Sequence, residues 1–259
     1  MNFIQRALCS GLIASAFSLT AHAAAPAKPA KAPALTPDQV EAIVHDYLLK
    51  NPGILREASM LLQRQDLEQA QKQASAAVEM MSSDLLSVSS SPVGGNPAGD
   101  VTVVEFFDYH CGYCKRVAPA IKELLASDPK VRLIYKQLPI LGPDSIVAAR
   151  AALAANRQGK YQDFHDALFA ADSLAEPAIM ALAAQHGLDV ERLRADMNDA
   201  QINAELEKNV AMSSPLGING TPGFVVGNTV APGALDLEGL RQMVAKVRKE
   251  QQHQASLSQ

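Results

Sequence analysis

The segment VVEFFDYHCGYCKRVAP, residues 103–119, contains two cysteines separated by two residues. Residues 101–107 form an apolar run rich in β-branched and aromatic side chains, which predicts a buried strand. Residues 114–127 then show a helical pattern. The segment therefore predicts a strand-to-helix junction, with Cys111 at the start of the helix and Cys114 one turn further along.

This placement is suited to redox chemistry. Unpaired N–H groups and the helix dipole favour a thiolate at Cys111, and a thiolate attacks a disulfide to form a mixed disulfide. Cys114 is close enough to resolve that intermediate. Metal binding is the alternative for the pair. A closed zinc site needs two more ligands and only His110 is adjacent, so we expect no structural metal, although two thiolates also suit Cu(I).

Two further features accompany the cysteines. Glu105 lies six residues before Cys111 on the apolar strand, where a buried carboxylate could relay a proton for Cys114. The alternative for Glu105 is an exposed acid at the strand end. Thr221-Pro222 lies in the glycine-rich segment GINGTPGF. A cis peptide bond there would present the Thr221 backbone to a substrate chain.

The first 23 residues have the pattern of a secretory signal. Arg6 provides the positive charge, residues 8–19 form a short apolar run, and residues 21–23 (Ala-His-Ala) form a cleavage site. A buried N-terminal helix is the alternative. Cleavage after Ala23 would remove Cys9 and leave the Cys111 and Cys114 pair in an exported, oxidising compartment. We therefore expect a periplasmic protein.

Composition excludes several classes of function. The chain has 259 residues, of which 48% are hydrophobic and 19% charged, as in a folded globular protein. A net charge of −4 argues against a general nucleic-acid binder. The absence of Trp argues against a platform on which bases stack. Beyond the signal, no apolar run approaches the roughly 18 residues of a membrane span, so none is expected after cleavage.

The rest of the chain divides into further regions. Residues 24–35 are an Ala/Pro/Lys spacer, residues 36–90 a helical oligomerisation region, residues 91–100 a linker, and residues 101–252 the main domain. Residues 36–90 contain a short helix and a longer one from about Gly53 to Val88. A weak heptad seam in the longer helix favours a dimer or trimer, and a helix folded back on its own domain is the alternative.

Residues 131–137 alternate between apolar and polar side chains and predict a second strand. The main domain has the predicted order β-α-β, a helical block at about residues 140–212, and β-β-α. This order, the Cys111-Gly112-Tyr113-Cys114 motif with Glu105 and Pro119, and Thr221-Pro222 resemble the thioredoxin fold. The helical insertion resembles its DsbA-like branch. Residues 36–70 are similar to the N-terminal region of ScsC-type proteins, which are linked to copper tolerance. The resemblance implies an α/β thioredoxin fold with an inserted helical domain, preceded by an N-terminal helical extension.

The resemblance also implies roles for individual residues. Cys111 is the nucleophile, Cys114 the resolving thiol, Glu105 the buried acid and Pro222 the cis-proline. Residues expected to bind substrate are His110, Gly112, Tyr113, Thr221 and Pro222. No cofactor is implied beyond a redox-active Cys111–Cys114 disulfide, and the N-terminal helices are implied to form a homo-oligomer.

Two positions differ from the disulfide-introducing DsbA proteins. Those proteins usually have Pro-His between the cysteines and Val before the cis-proline, whereas this chain has Gly112-Tyr113 and Thr221. Both features resemble the dimeric disulfide isomerases of the DsbC type. The sequence therefore predicts a thiol-disulfide oxidoreductase acting on unfolded or misoxidised exported proteins, with isomerase or reductase activity favoured and a membrane redox partner. A DsbA-like oxidase and a copper-binding or client-holding protein are the alternatives.

Overall fold

The structure, a computed structural model, describes residues 34–257. These residues belong to two compact units, one ending at Arg56 and the other beginning at Glu57. The predicted signal peptide, Cys9 and most of the spacer lie outside the described residues. None of the helices within residues 34–257 is long and apolar enough to cross a membrane.

The first unit contains helix α1, Pro37–Lys50, and the start of helix α2, Gly53–Met80. Thr36 caps α1, because its side chain accepts from the Gln39 N–H while the Gln39 side chain accepts from the Thr36 N–H. No residue of α1 is buried. Its large exposed apolar side chains are Val40, Ile43, Val44, Tyr47 and Leu49.

The second half of α2 packs on the sheet through Ala74, Ala77 and Val78. The chain then turns at Met81 and forms the short helix α3, Ser82–Leu85. The single helix predicted to Val88 is therefore wrong beyond Met80. The turn lets Leu85 join the same apolar cluster, and the serines that follow Met81 compete with the helical backbone for hydrogen bonds. At Ala74 the weak heptad seam of α2 contacts the protein's own domain. This agrees with the alternative prediction of a helix folded back on its own domain.

The prediction that residues 91–100 form only a linker is also wrong. Val93–Gly95 is an edge strand, β1, which pairs antiparallel with strand β3, Val131–Gln137. Its Val-Gly-Gly sequence between prolines has the composition of a turn. Gly95 has φ of +66°, and a Cβ there would lie 2.6 Å from the Val131 carbonyl oxygen. The glycine therefore permits this close pairing.

The remaining strands are β2, Val101–Phe107, β4, Gly223–Val226, and β5, Thr229–Pro232. The five strands have the order β1-β3-β2-β4-β5, with β2 and β3 parallel and all other pairs antiparallel. Helix α4, Gly112–Ser127, connects the two parallel strands, and helix α10, Leu237–Leu257, closes the fold. The predicted bounds of β2 and β3 are confirmed.

The predicted helical insertion lies between β3 and β4 and consists of five helices. They are α5 (Pro143–Arg157), α6 (Tyr161–Ala170), α7 (Glu176–Gln185), α8 (Val190–Met197) and α9 (Ala200–Ser213). Helix α6 packs the insertion against the sheet, where the Phe107 and Phe169 rings lie 5.5 Å apart. The two faces of the sheet are covered by separate apolar clusters. Val103 and Phe107 belong to one cluster and Val104 and Phe106 to the other, as strand alternation requires.

Candidate active site

Cys111 is the N-cap residue of α4. Its Sγ accepts a hydrogen bond from the Cys114 backbone N–H at 3.3 Å, and its S–H donates to the Thr221 carbonyl oxygen at 3.2 Å. Both cysteines are free thiols. The structure therefore brings the helix N-terminus, the two thiols and the Thr221 backbone together, as the sequence motifs predicted.

Asp108 shapes the turn that leads into α4. One carboxylate oxygen accepts from the His110 N–H at 2.7 Å. The other accepts from the backbone N–H groups of Ile140 and Leu141 at 2.9 and 3.0 Å. Asp108 thus fastens the loop after β3 to the turn before the dithiol. Asp108 was not among the residues predicted from the sequence, although an Asp three residues before a helix N-cap is a typical turn residue.

Cys114 has no exposed surface, whereas Cys111 is 5% exposed. Burial raises the pKa of the Cys114 thiol well above its usual value, and the nearby Glu105 and Cys111 act in the same direction. Cys114 can therefore attack only if a neighbouring group takes its proton. Cys111 is the thiol that a client can reach first.

Glu105 on β2 is 2% exposed, so the alternative of an exposed strand-end acid is wrong, and its charge acts on the pKa of Cys114. Burial raises the pKa of its carboxyl group to about 8, so the group is largely protonated at neutral pH. Glu105 lines a small cavity, large enough for about one water molecule, with Tyr135, Gln162 and His165. The Lys122–Asp166 ion pair, at 2.8 Å, also lines this cavity.

A polar and aromatic cluster surrounds His165 next to this cavity. Tyr109 Oη and Tyr161 Oη lie 2.9 and 3.3 Å from His165 Nδ1, and Gln137 donates to Tyr161 Oη at 2.9 Å. Burial lowers the pKa of His165 to about 3, so its ring is neutral. The cluster joins the turn after β2 to β3 and α6. This network was not predicted from the sequence.

The peptide bond between Thr221 and Pro222 is cis. The Thr221 hydroxyl is buried and has no hydrogen-bond partner within residues 34–257. Tyr113 exposes 60% of its surface, and the Arg116 guanidinium lies 4.1 Å from its ring centroid. His110 and Gly112 are exposed beside it. The residues predicted to bind substrate therefore surround Cys111, and their roles remain predictions.

No group of three or more His, Cys, Asp and Glu side chains suited to hold a metal occurs among residues 34–257. At the dithiol, the two thiols are therefore the available soft ligands. This donor set suits a two-coordinate Cu(I) ion better than tetrahedral zinc.

Residues 102–245, more than half of the chain, match the DsbA-like thioredoxin domain. The chain belongs to the DsbA-like thioredoxin family. Residues 38–74 also match the N-terminal domain of the copper resistance protein ScsC. The DsbA-like domain thus coincides with β2 to α10, and the ScsC-type match covers α1 and most of α2.

Solved structures agree with this assignment. A thioredoxin-like oxidoreductase from Silicibacter pomeroyi DSS-3 is 45% identical, with a TM-score of 0.63, covering 64% of this chain and 97% of its own. BcfH from Salmonella enterica Typhimurium is 34% identical, with a TM-score of 0.68, covering 81% and 95%. A linker-deleted Proteus mirabilis ScsC variant is 27% identical, with a TM-score of 0.63, covering 85% and 100%.

Curated relatives include much longer proteins. The Na(+)/H(+) antiporter NhaA 1 of Salinispora arenicola is 33% identical over 57% of this chain. The chain spans 23% of that protein's length. The likeness therefore concerns the DsbA-like domain.

Proposed function

We propose that this protein is a periplasmic thiol-disulfide oxidoreductase that reduces and isomerises disulfides in unfolded or misoxidised exported proteins. The observation that carries the proposal is the position of Cys111 Sγ at the N-terminus of α4, 3.2 Å from the Thr221 carbonyl oxygen. That carbonyl belongs to the bend before β4, beside the thiol, where a client backbone can lie. The predicted signal peptide supports the periplasmic location.

The reaction begins when the Cys111 thiolate attacks one sulfur of a client disulfide. A bond forms between Cys111 Sγ and that sulfur, the client S–S bond breaks, and the other client sulfur leaves as a thiolate that takes up a proton. In reduction, Cys114 then attacks Cys111 Sγ and releases the second client thiol. The dithiol has lost two electrons and the client disulfide has gained them. In isomerisation, a client thiolate attacks instead, so the dithiol is regenerated without net oxidation.

Glu105 supports the second step of reduction. The Cys114 thiol is buried and must lose a proton before it attacks. The ionised form of the Glu105 carboxyl group, a minority at neutral pH because its pKa is about 8, accepts that proton, and the protonated group then passes it to water. Membrane-bound redox proteins would return the Cys111–Cys114 disulfide to the dithiol.

The N-terminal helices supply the second part of the proposal. None of the apolar side chains of α1 is buried among the described residues, and Ile54 and Leu55 at the start of α2 are also exposed. A second or third copy of the same helices would bury them. An oligomer of this kind holds several dithiols around one client and raises their effective concentration, which favours isomerisation.

Two other functions remain candidates. A DsbA-like oxidase would hold Cys111 and Cys114 mostly oxidised in the cell, whereas an isomerase would hold them reduced. The match of residues 38–74 to a copper-resistance domain favours a copper-binding role. Stoichiometric Cu(I) binding without disulfide exchange would support that role and contradict the proposed enzyme.

The test is reactivation of scrambled ribonuclease by the mature protein and by an Ile43→Glu/Tyr47→Glu variant, with oligomeric state measured by light scattering. Lys50→Glu is the control, because it changes the charge of α1 equally at an exposed position. We expect the wild type and control to be oligomeric isomerases, and the variant to be a monomer that reduces insulin but isomerises poorly. Rapid oxidation of reduced ribonuclease without isomerisation, by every form, would instead identify an oxidase.

A further inference from the structure

A groove separate from the dithiol lies between α5 and α9 and has a volume of about 650 Å³. This volume is within the range of ligand-binding clefts. Its apolar walls include Pro139, Ile146, Leu206 and Val210. Ile146 and Val210 are among the large apolar side chains that the fold leaves exposed.

Two polar side chains in this groove have buried atoms without partners. The Nε–H donor of Arg150 and the Oδ1 acceptor of Asn203 form no hydrogen bond within residues 34–257. Asn203 Nδ2 donates to the Asp199 carbonyl oxygen at 3.2 Å, which fixes the amide. Buried polar atoms without a partner are rare in folded proteins. The Arg150 side chain, which is half-buried in the groove wall, is therefore a cation with hydrogen-bonding capacity that the described residues leave unused.

The groove begins at the same end of the sheet as the dithiol, next to the carboxyl ends of the parallel strands. Phe107 and Gln137 are partners at the carboxyl ends of the parallel strands β2 and β3, with Cys111 shortly after one and Pro139 shortly after the other. Asp108 binds the loop after Pro139 to the turn before Cys111. On the other wall, Asn209 of α9 donates to the Gln137 carbonyl oxygen at 3.1 Å. A chain bound at Cys111 can therefore continue into the groove.

We propose that this groove binds an extended, acidic segment of the client polypeptide on one side of its reactive disulfide. An Asp or Glu carboxylate of the client accepts from the Arg150 guanidinium, and client apolar side chains contact the walls. This inference rests on the proposed function, since it assigns a substrate class to the same enzyme.

Charge complementarity selects this occupant. Arg150 has no ion-pair partner among the described residues, and a guanidinium pairs well with a carboxylate in a partly desolvated site. Glu207 also lines the groove but is exposed, and no ion pair joins it to Arg150. Glu207 can pair with a basic client residue at the outer end of the groove. A carboxylate is therefore expected at the inner, Arg150 end.

The test measures binding separately from disulfide exchange. Fluorescent, cysteine-free peptides that contain an Ile-Leu pair flanked by Glu, Gln or Lys are titrated against the full-length protein, with anisotropy as the readout. The proteins are the wild type, Arg150→Gln, Arg150→Glu and Lys249→Glu. Lys249 is exposed on α10 and its reversal changes the net charge as Arg150→Glu does. Circular dichroism establishes that each variant is folded.

We expect the wild type and Lys249→Glu to bind the Glu peptide about five- to tenfold more tightly than the Lys peptide at low salt. Arg150→Gln should lose this preference and Arg150→Glu should reverse it. Equal affinities for all three peptides in the wild type, or an unchanged preference in both Arg150 variants, would overturn the inference and indicate that water fills the groove. Cys111→Ser should bind the peptides normally while losing all disulfide exchange. Loss of the proposed enzyme activity and loss of this site are therefore distinguishable.

Discussion

The ammonium group of Lys136 on β3 lies 3.2 Å from Glu205 Oε1 on α9, and both side chains are buried. Lys136 also donates to Ser91 Oγ and to the Asp84 carbonyl oxygen, at 2.8 and 2.9 Å. Burial alone would raise the pKa of Glu205. The hydrogen bonds from Ser90 and Ser91 and the charge of Lys136 outweigh burial, so the pKa lies below its usual value. One buried ion pair thus links the segment after α2 to the sheet and to the insertion.

Removal of one partner should be costly. We expect Lys136→Met to lower the free energy of unfolding by about 3–5 kcal/mol, because Glu205 would remain buried without its counter-charge. Urea unfolding of the reduced protein measures this. The double variant Lys136→Met/Glu205→Leu should recover part of the loss, since no isolated charge remains. A single variant as stable as the wild type would contradict the buried pair.

The second prediction concerns stability and pH. The pKa of Glu105 is raised to about 8 by burial, from an ordinary value of 4.5. The folded state therefore keeps a proton that the unfolded state releases between these values. Stability falls as pH rises through this window, by on the order of a few kcal/mol, and levels off above it. Glu105→Gln should remove this fall, so the variant gains stability relative to wild type from pH 5 to 8.

Thermal unfolding at pH 5, 6, 7 and 8 tests this, with Glu191→Gln, an exposed acid on α8, as the control. The control should follow the wild type. Glu105→Gln should also slow the release of reduced client from the mixed disulfide, because Cys114 loses its proton acceptor. A parallel pH dependence of stability in wild type and Glu105→Gln would show that Glu105 ionises normally in the folded protein.

The sequence predicts the reactive junction well because its signals are local. A buried strand, a Cys-x-x-Cys pair and a helix follow one another directly, so the placement of Cys111 needs no distant contact. The strand β3 was predicted with alternating exposure, yet Lys136 on it is fully buried. β3 lies between β1 and β2 and is covered on both faces, so alternation fails there.

The parts that the sequence did not predict depend on long-range partners. β1 has only three residues and no strand pattern of its own, and it forms because β3 offers a free edge. In the sequence, nothing distinguishes Asp108, Arg150 and Glu205 from other polar residues. Their positions matter because of groups 30 or more residues away, such as Ile140 for Asp108. Such partners are not visible in local periodicity.

The third prediction concerns Thr221. Its hydroxyl is buried without a partner among the described residues, so Thr221→Val removes an unpaired polar group and keeps the shape. We expect a free energy of unfolding equal to wild type or up to about 1 kcal/mol higher. The carbonyl contact with Cys111 is a backbone contact and should persist. Because the hydroxyl is buried, the surface that a client contacts should stay the same, and insulin reduction should proceed at the wild-type rate.

Insulin reduction and chemical unfolding of Thr221→Val are measured beside Thr229→Val, whose site is on β5. Stability lower than wild type by more than 1 kcal/mol would mean that the Thr221 hydroxyl has a partner that the structure does not show. A changed rate of insulin reduction would mean that the Thr221 hydroxyl does contact the client.

The last prediction separates the roles of the two thiols. Cys111 is the first thiol that a client reaches and Cys114 is fully buried behind it. Cys111→Ser should therefore abolish insulin reduction. Cys114→Ser should still attack clients but cannot resolve the product, so covalent complexes should accumulate that dithiothreitol releases. Non-reducing gel electrophoresis of periplasmic extracts measures them, with the double variant as the control. Insulin reduction by Cys111→Ser, or no trapped client with Cys114→Ser, would contradict the proposed order of attack.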